Sequence, residues 1–265
     1  DRAQIGGNLN PNGTACKNLL LPVVRQILLQ FLKGAACDVL LSREIEYADG
    51  RKCRWLRADL IRFMRDLAAE AASQRKIADQ VALPNFGNRL MVELAVFTSA
   101  AYRVLLDKGV AQGTARQLFA DAGWVVYARM LRTSSWPFRL VTRDPARRLQ
   151  WTIKSLLRFP FSAPGYSVET YLDGDDIITN FTHCPPQSFV RALVAARGDR
   201  GDLEAFFASW CQYDWPGADI IAGNGERGHY ARTQTLSRGD PQCDMCWKTK
   251  SNANLGMPTC VSQPK

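Results

Sequence analysis

Four segments between residues 183 and 247 hold most of the side chains suited to polar chemistry. They are His183-Cys184-Pro185, Trp210-Cys211-Gln212-Tyr213-Asp214, Arg232-Thr233-Gln234-Thr235-Leu236-Ser237-Arg238-Gly239 and Cys243-Asp244-Met245-Cys246-Trp247. A thiol becomes a nucleophile only when a neighbouring base, cation or helix N-terminus lowers its pKa. His183 precedes Cys184 directly, and adjacent side chains on a strand point to opposite faces, so a direct His183–Cys184 dyad is not expected. Arg232 is the better partner for a thiolate or a substrate carboxylate, because a guanidinium binds anions through two parallel hydrogen bonds. Asp214 and Asp244 supply general acid–base chemistry if burial raises their pKa. The competing reading is structural: cysteines at strand and helix ends pack as small apolar groups, and an Arg–Asp pair fastens a sheet to a helix.

The order of these segments resembles the L-2-amino-thiazoline-4-carboxylic acid hydrolase family. That pattern has a strand ending in Cys, a Cys-x-x-Asp helix end, an Arg-x-Gly-Thr-Leu-Ala-x-Gly strand and a Cys-Asp-Phe-x-Phe strand. Cys184, Cys211, Asp214, Arg232, Thr235, Leu236, Gly239, Cys243 and Asp244 fall on it. The match is specific over about 80 residues and looser over the helices from 86 to 135. Gln234 stands in place of Gly, Ser237 in place of Ala and Met245 in place of Phe, and Cys246 is an additional cysteine. The resemblance implies hydrolytic opening of a C–N bond in a small cyclic metabolite. It implies Cys184, Asp214, Arg232, Cys243 and Asp244 as catalytic residues, with Cys211, Thr235, Trp210 and His183 at the substrate.

Two further functions stay open. Phe206, Phe207 and Trp210 on one helical stretch make either core or the wall of an apolar cavity. In the second case the enzyme is a cyclase or isomerase of a hydrophobic secondary metabolite, acting mainly by placement. The third possibility is a non-catalytic small-molecule binding module. No cofactor and no metal are expected. Cys243-x-x-Cys246 has the spacing of zinc ligands, but residues three apart on a strand face opposite sides. His229, near Gly225 and Gly228, is expected at the surface.

The elements that must position these residues divide at about residue 160. Helical spacing of apolar residues runs through 19–41, from 56 towards Pro84, and through 90–105 and 118–129. Thr114 is a candidate N-cap for the last of these. Asp144-Pro145 starts a further helix, a capping carboxylate followed by proline at the first helical position, and it ends near Phe159-Pro160. Beyond it, 166–172 and 177–183 flank Asp173-Gly174 as a hairpin. Residues 188–196 and 203–210 read as short helices, and 230–237 and 242–249 as strands. The fold class expected is α+β, a helical N-terminal half packed on a small antiparallel sheet formed by the C-terminal half. No linker divides the chain, so residues 1–265 are read as one domain. Its parts are a mobile arm at 1–15, a helical part at 19–160 and a mixed part at 166–249 that carries the motifs.

The 265 residues are 46% hydrophobic, enough for a core, and no apolar run is long enough to span a membrane. The net charge of +9 rests on 25 Arg against 9 Lys. These residues are scattered apart from one run, Arg143, Arg147, Arg148, Lys154 and Arg158, so nucleic acid is not the expected partner and a small-molecule substrate is. The oligomeric state is not legible. Eight cysteines, the sequons at Asn12 and Asn180 and a first residue that is not Met together suggest a secreted or lumenal glycoprotein, with a cytoplasmic location as the alternative. At least one disulfide is expected among Cys16, Cys37, Cys53, Cys246 and Cys260, with Cys246–Cys260 a candidate pair.

Overall fold

A computed structural model describes residues 11–78, 83 and 85–250. Helix α3 (Phe86–Asp107) runs through the middle of the molecule. Asn85 caps it by accepting a hydrogen bond from the Asn88 amide, and every residue from 91 to 100 is buried. Around it pack α1 (Pro11–Leu40), α2 (Arg57–Ala78), α4 (Gln112–Val141), α6 (Pro185–Arg197) and α7 (Asp202–Phe206). A bidentate ion pair, Arg103 to Asp202 at 2.7 and 2.8 Å, ties α3 to the start of α7. Both partners are buried, and each satisfies the charge of the other.

A four-stranded antiparallel sheet lies beyond this helical part, in the order β3 (Ser167–Asp173), β4 (Asp176–His183), β6 (Cys243–Trp247), β5 (Tyr230–Ala231). Its register sets two faces. Ile177 pairs with Trp247, Thr179 with Met245 and Phe181 with Cys243, and these side chains face the helices. Ile178, Asn180, Asp244 and Cys246 point the other way. Helices α5 (Pro145–Arg158) and α8 (Asp214–Ala222) pack together beside the inner face, where Leu149, Ile153, Ile221, Tyr230 and Trp247 share one core cluster. The molecule is α+β, with helices first and the sheet in the C-terminal half.

Several elements match the sequence reading. Asp144 caps α5 through the Ala146 amide, with Pro145 as its first residue. The hairpin of β3 and β4 turns at Gly174, whose φ of +60° suits glycine. Others differ. Residues 11–15, expected in a mobile arm, begin α1. Residues 1–10, the Asn12 and Cys16 side chains and Cys260 lie outside the described residues. Thr114 sits inside α4, whose N-cap is Ala111. A small hairpin, β1 (Glu44–Glu46) with β2 (Lys52–Arg54), surrounds Asp49-Gly50, where only a turn was expected. The strand expected at 230–237 is strand only at Tyr230–Ala231, followed by an extended stretch and a 3₁₀ turn at Leu236–Arg238. His229 is buried rather than exposed. Its Nδ1 lies 2.9 Å from the Lys248 carbonyl oxygen and its Nε2 lies 3.3 Å from Asn224 Oδ1. Cys37 and Cys53 are free thiols, and buried Cys246 is not free.

Candidate active site

Between the inner face of the sheet and helices α3, α4, α5 and α8 lies a cavity of about 110 Å³. That is the order of the roughly 150 Å³ apolar cavity that holds a benzene-sized ligand. Met91, Leu131, Leu156, Phe181 and Trp247 are typical of its wall. Against this apolar background Asp214, Arg232, Cys184, Cys211 and Cys243 reach the cavity together. Trp210 reaches it too, stacked on Phe206 at 5.6 Å. Phe207 turns away, and the Arg238 guanidinium covers its ring at 3.8 Å.

Local backbone geometry explains how two of these residues arrive. Phe207–Cys211 is a π-helical turn between α7 and α8. Its wider winding inserts an extra residue into the helical path, a device frequent at functional sites. Ser209 inside it bonds back to the Ala205 carbonyl at 2.7 Å. The turn presents both Trp210 and Cys211 to the cavity. Its last carbonyl, that of Cys211, accepts from Arg232 Nη2 at 2.7 Å.

Asp214 is the first residue of α8 and is buried. Its Oδ1 accepts from the Tyr127 hydroxyl at 3.2 Å, and its Oδ2 accepts from the Tyr230 hydroxyl at 3.3 Å and from Arg232 Nη1 at 3.4 Å. Burial raises its pKa from 3.8 to about 6, and the Arg232 charge and the two phenols hold the rise in check. Burial and then the Asp214 charge push both phenols well above the usual tyrosine range, so they stay protonated and act as donors. Arg232 is held on three sides. Its guanidinium meets Asp214 and the Cys211 carbonyl, lies 4.7 Å over the Trp215 ring, and leaves a side chain only 2% exposed. Burial acts to lower its pKa, but Tyr230, Asp214 and the thiols outweigh that and raise it.

The three thiols are not thiolates. Burial raises Cys184 far above the ordinary thiol range, Cys211 to about 11, and Cys243 upward as well. Hydrogen bonds link two of them: Cys211 Sγ lies 3.2 Å from Ser237 Oγ, that hydroxyl lies 3.2 Å from Thr235 Oγ1, and Thr235 Oγ1 lies 3.5 Å from Cys243 Sγ. Thr235 therefore supports the cavity wall from behind.

Three expected site residues do not line the cavity: Thr235, behind the wall, and Asp244 and His183, which sit elsewhere. Asp244 is on the outer face of β6, where its carboxylate accepts the backbone amides of Thr233 at 2.9 Å and Gln234 at 2.6 Å, and the Thr233 hydroxyl as well. That fixes the stretch after β5 and so aims Arg232. His183 is exposed, with Nδ1 2.6 Å from the Gly165 oxygen and Nε2 3.0 Å from Ser188 Oγ. It is fastened at the strand end, away from the cavity that its neighbour Cys184 lines. The sequon residue Asn180 is half-buried on β4, on the outer face beside Asp244. Tyr127, Tyr230 and Trp215 escaped sequence reasoning. Each looks like an ordinary aromatic on an apolar stretch, and only the fold brings them to Asp214 and Arg232.

No family model, curated protein or solved structure matches this chain.

Proposed function

We propose that this protein is a small-molecule enzyme in which Asp214 moves a proton on a small, largely apolar ligand, as an isomerase or cyclase does. One observation carries the reading: a buried carboxyl with a pKa near 6, held by two phenols and a guanidinium, opens on an otherwise apolar cavity. A carboxyl poised near neutrality both gives and takes a proton at physiological pH, and general acid–base catalysis of this kind contributes roughly 10²- to 10⁴-fold. Tyr127, Tyr230 and Arg232 hold its two oxygens and so fix the direction of transfer. Exclusion of water by the apolar wall strengthens each of these interactions.

Hydrolytic opening of a C–N bond remains the second reading. The resemblance to the thiazoline-carboxylate hydrolases supports it, since Cys184, Cys211, Asp214, Arg232 and Cys243 line one cavity. In that case Asp214 activates a water, because the raised pKa values of the thiols oppose a cysteine nucleophile.

The test is a panel of small cyclic substrates incubated with the wild type, Asp214→Asn and Cys184→Ala in deuterated water and followed by NMR. Deuterium uptake or rearrangement by the wild type and Cys184→Ala, and not by Asp214→Asn, supports proton transfer. Ring opening with gain of water selects hydrolysis, and its loss in Cys184→Ala restores the thiol. Saturable binding of a panel member without turnover makes the protein a binding module.

A further inference from the structure

We infer that helices α1 and α4 form a docking surface for an anionic lipid membrane. Val23, Ile27 and Phe31 follow one another at helical spacing along α1, and all three are exposed. Trp136, Leu140 and Val141 are exposed on the last turns of α4, Trp136 to 60%. The two rows lie side by side. Arg43 on the loop after α1 bonds Asp121 in the first half of α4, and the Arg129 guanidinium sits 5.8 Å over the Phe31 ring, so the helices run antiparallel. Stepping back eight residues along α1 from Phe31 to Val23 therefore keeps pace with stepping forward along α4 from Arg129 to just past Trp136, with Leu140 one turn beyond. A contiguous exposed apolar surface of this kind marks an interaction site rather than ordinary scatter.

The surrounding charge identifies the partner. No Asp or Glu occurs on α1 from 22 to 37 or on α4 from 122 to 141, while Lys33, Arg129 and Arg132 are exposed there. Helix α5 joins the same end of α4 through Phe138 and Trp151, whose rings lie 6.0 Å apart. It carries most of the dense basic run. Arg148 of that run is buried, donating to the carbonyls of Arg143 and Gly223. Arg143, Lys154 and Arg158 are exposed and make no ion pair among the described residues, and Arg147 meets only Asp144, at 3.5 Å. An apolar ridge with a tryptophan and no carboxylate of its own, bordered mainly by arginines with Asp144, Asp219 and Glu226 further out, has the composition of surfaces that lie in the headgroup region of a membrane. Anionic headgroups supply the charge that these arginines lack. No helix among the described residues is long and apolar enough to cross a membrane, so the contact is a surface one. It is independent of the reaction in the cavity.

Co-sedimentation of the full chain with vesicles tests this. The probes are phosphatidylcholine vesicles and phosphatidylcholine vesicles containing phosphatidylserine, each at low and high salt. The wild type is expected to bind the anionic vesicles, with weaker binding at high salt. The double variant Trp136→Ser/Leu140→Ser is expected to lose roughly tenfold or more in partitioning, and Arg129→Gln/Arg132→Gln to lose the preference for anionic vesicles. All four side chains are exposed, and unchanged thermal unfolding confirms folding. Absence of vesicle binding overturns the proposal, as does binding that both variants retain in full. A wild-type dimer that the Trp136→Ser/Leu140→Ser variant splits into monomers also overturns it, because the ridge is then covered by a second copy.

Discussion

Arg232 is closer to the backbone oxygen of Cys211, at 2.7 Å, than to the carboxylate of Asp214, at 3.4 Å. The guanidinium is thus anchored mainly by the end of the π-helical turn. Its charge moderates the Asp214 pKa without abolishing the rise that burial causes.

Asp214 gives the first prediction. Its pKa is raised on folding, so between about pH 4 and 6 the folded protein keeps a proton that the unfolded chain has released. Stability from this group is greatest at low pH and declines as pH rises through that window. Relative to Asp214→Asn, the wild type is expected to lose on the order of 2 kcal/mol between about pH 3.5 and 7. Urea unfolding of both proteins at several pH values measures it. A difference that does not change with pH means that Asp214 titrates normally.

Arg232→Met removes the cation and leaves a buried carboxyl that can protonate. The cost is therefore expected at about 1–3 kcal/mol at pH 8 and less at pH 5, below the 3–5 kcal/mol of a buried pair whose survivor stays charged. Arg232→Lys is expected to fold and yet to lose most turnover, because an ammonium cannot meet the Cys211 oxygen and Asp214 together with one planar group. Full activity in Arg232→Ala removes Arg232 from the mechanism.

The thiols give a contrasting expectation. Under the proton-transfer reading, Cys184→Ala and Cys243→Ala keep activity within about tenfold, since neither thiol ionises near neutrality. Alkylation of Cys184 by iodoacetamide at pH 8 is expected to be far slower than that of exposed Cys37. Rapid, activity-abolishing modification of Cys184 at neutral pH contradicts both.

Gly217 lies on the cavity face of α8, where a Cβ would come 2.8 Å from Leu131 Cδ1 and 3.4 Å from the Tyr127 ring. Gly217→Val is expected to cost about 1–3 kcal/mol by overpacking and to weaken ligand binding by pressing on Tyr127. Calorimetric melting and ligand titration separate the two effects.

Cys246 bears on the compartment. Peptide mapping without reduction is expected to find it joined to Cys260. A free Cys246 thiol would remove that disulfide and most of the argument for an oxidising compartment.

The legible parts of the sequence were those set by local chemistry. Asp144-Pro145 marks a helix start in any context, and Asp173-Gly174 between β-prone runs marks a hairpin. The stretch after Ala231 departs from the expected strand because its amides leave the sheet for side-chain acceptors: Asp244 takes those of Thr233 and Gln234, and Asp240 takes that of Thr235. Nothing in local periodicity reports such a substitution. The same long-range bonds moved Asp244 from expected catalyst to a bracket behind Arg232. Asp214, Arg232, Cys184, Cys211 and Cys243 were grouped by the four-segment pattern of the resemblance, and all five line one cavity. Tyr127 and Tyr230 were not, since an aromatic on a helical or strand pattern looks the same whether its hydroxyl meets a carboxylate or water.

The π-helical turn at Phe207–Cys211 also bears on tolerance to insertions and deletions. Such a turn holds one residue more than the α-helix it interrupts, while the flanking segments stay nearly in phase. Loss of a single residue there would let α7 run on towards α8 as regular helix, with the buried contacts of both ends largely kept. The missing residue would be felt at the cavity wall, where Trp210 and Cys211 would rotate out of place and Arg232 would lose its nearest acceptor. A one-residue length change at this turn is therefore a route by which one scaffold diversifies its chemistry without being refolded.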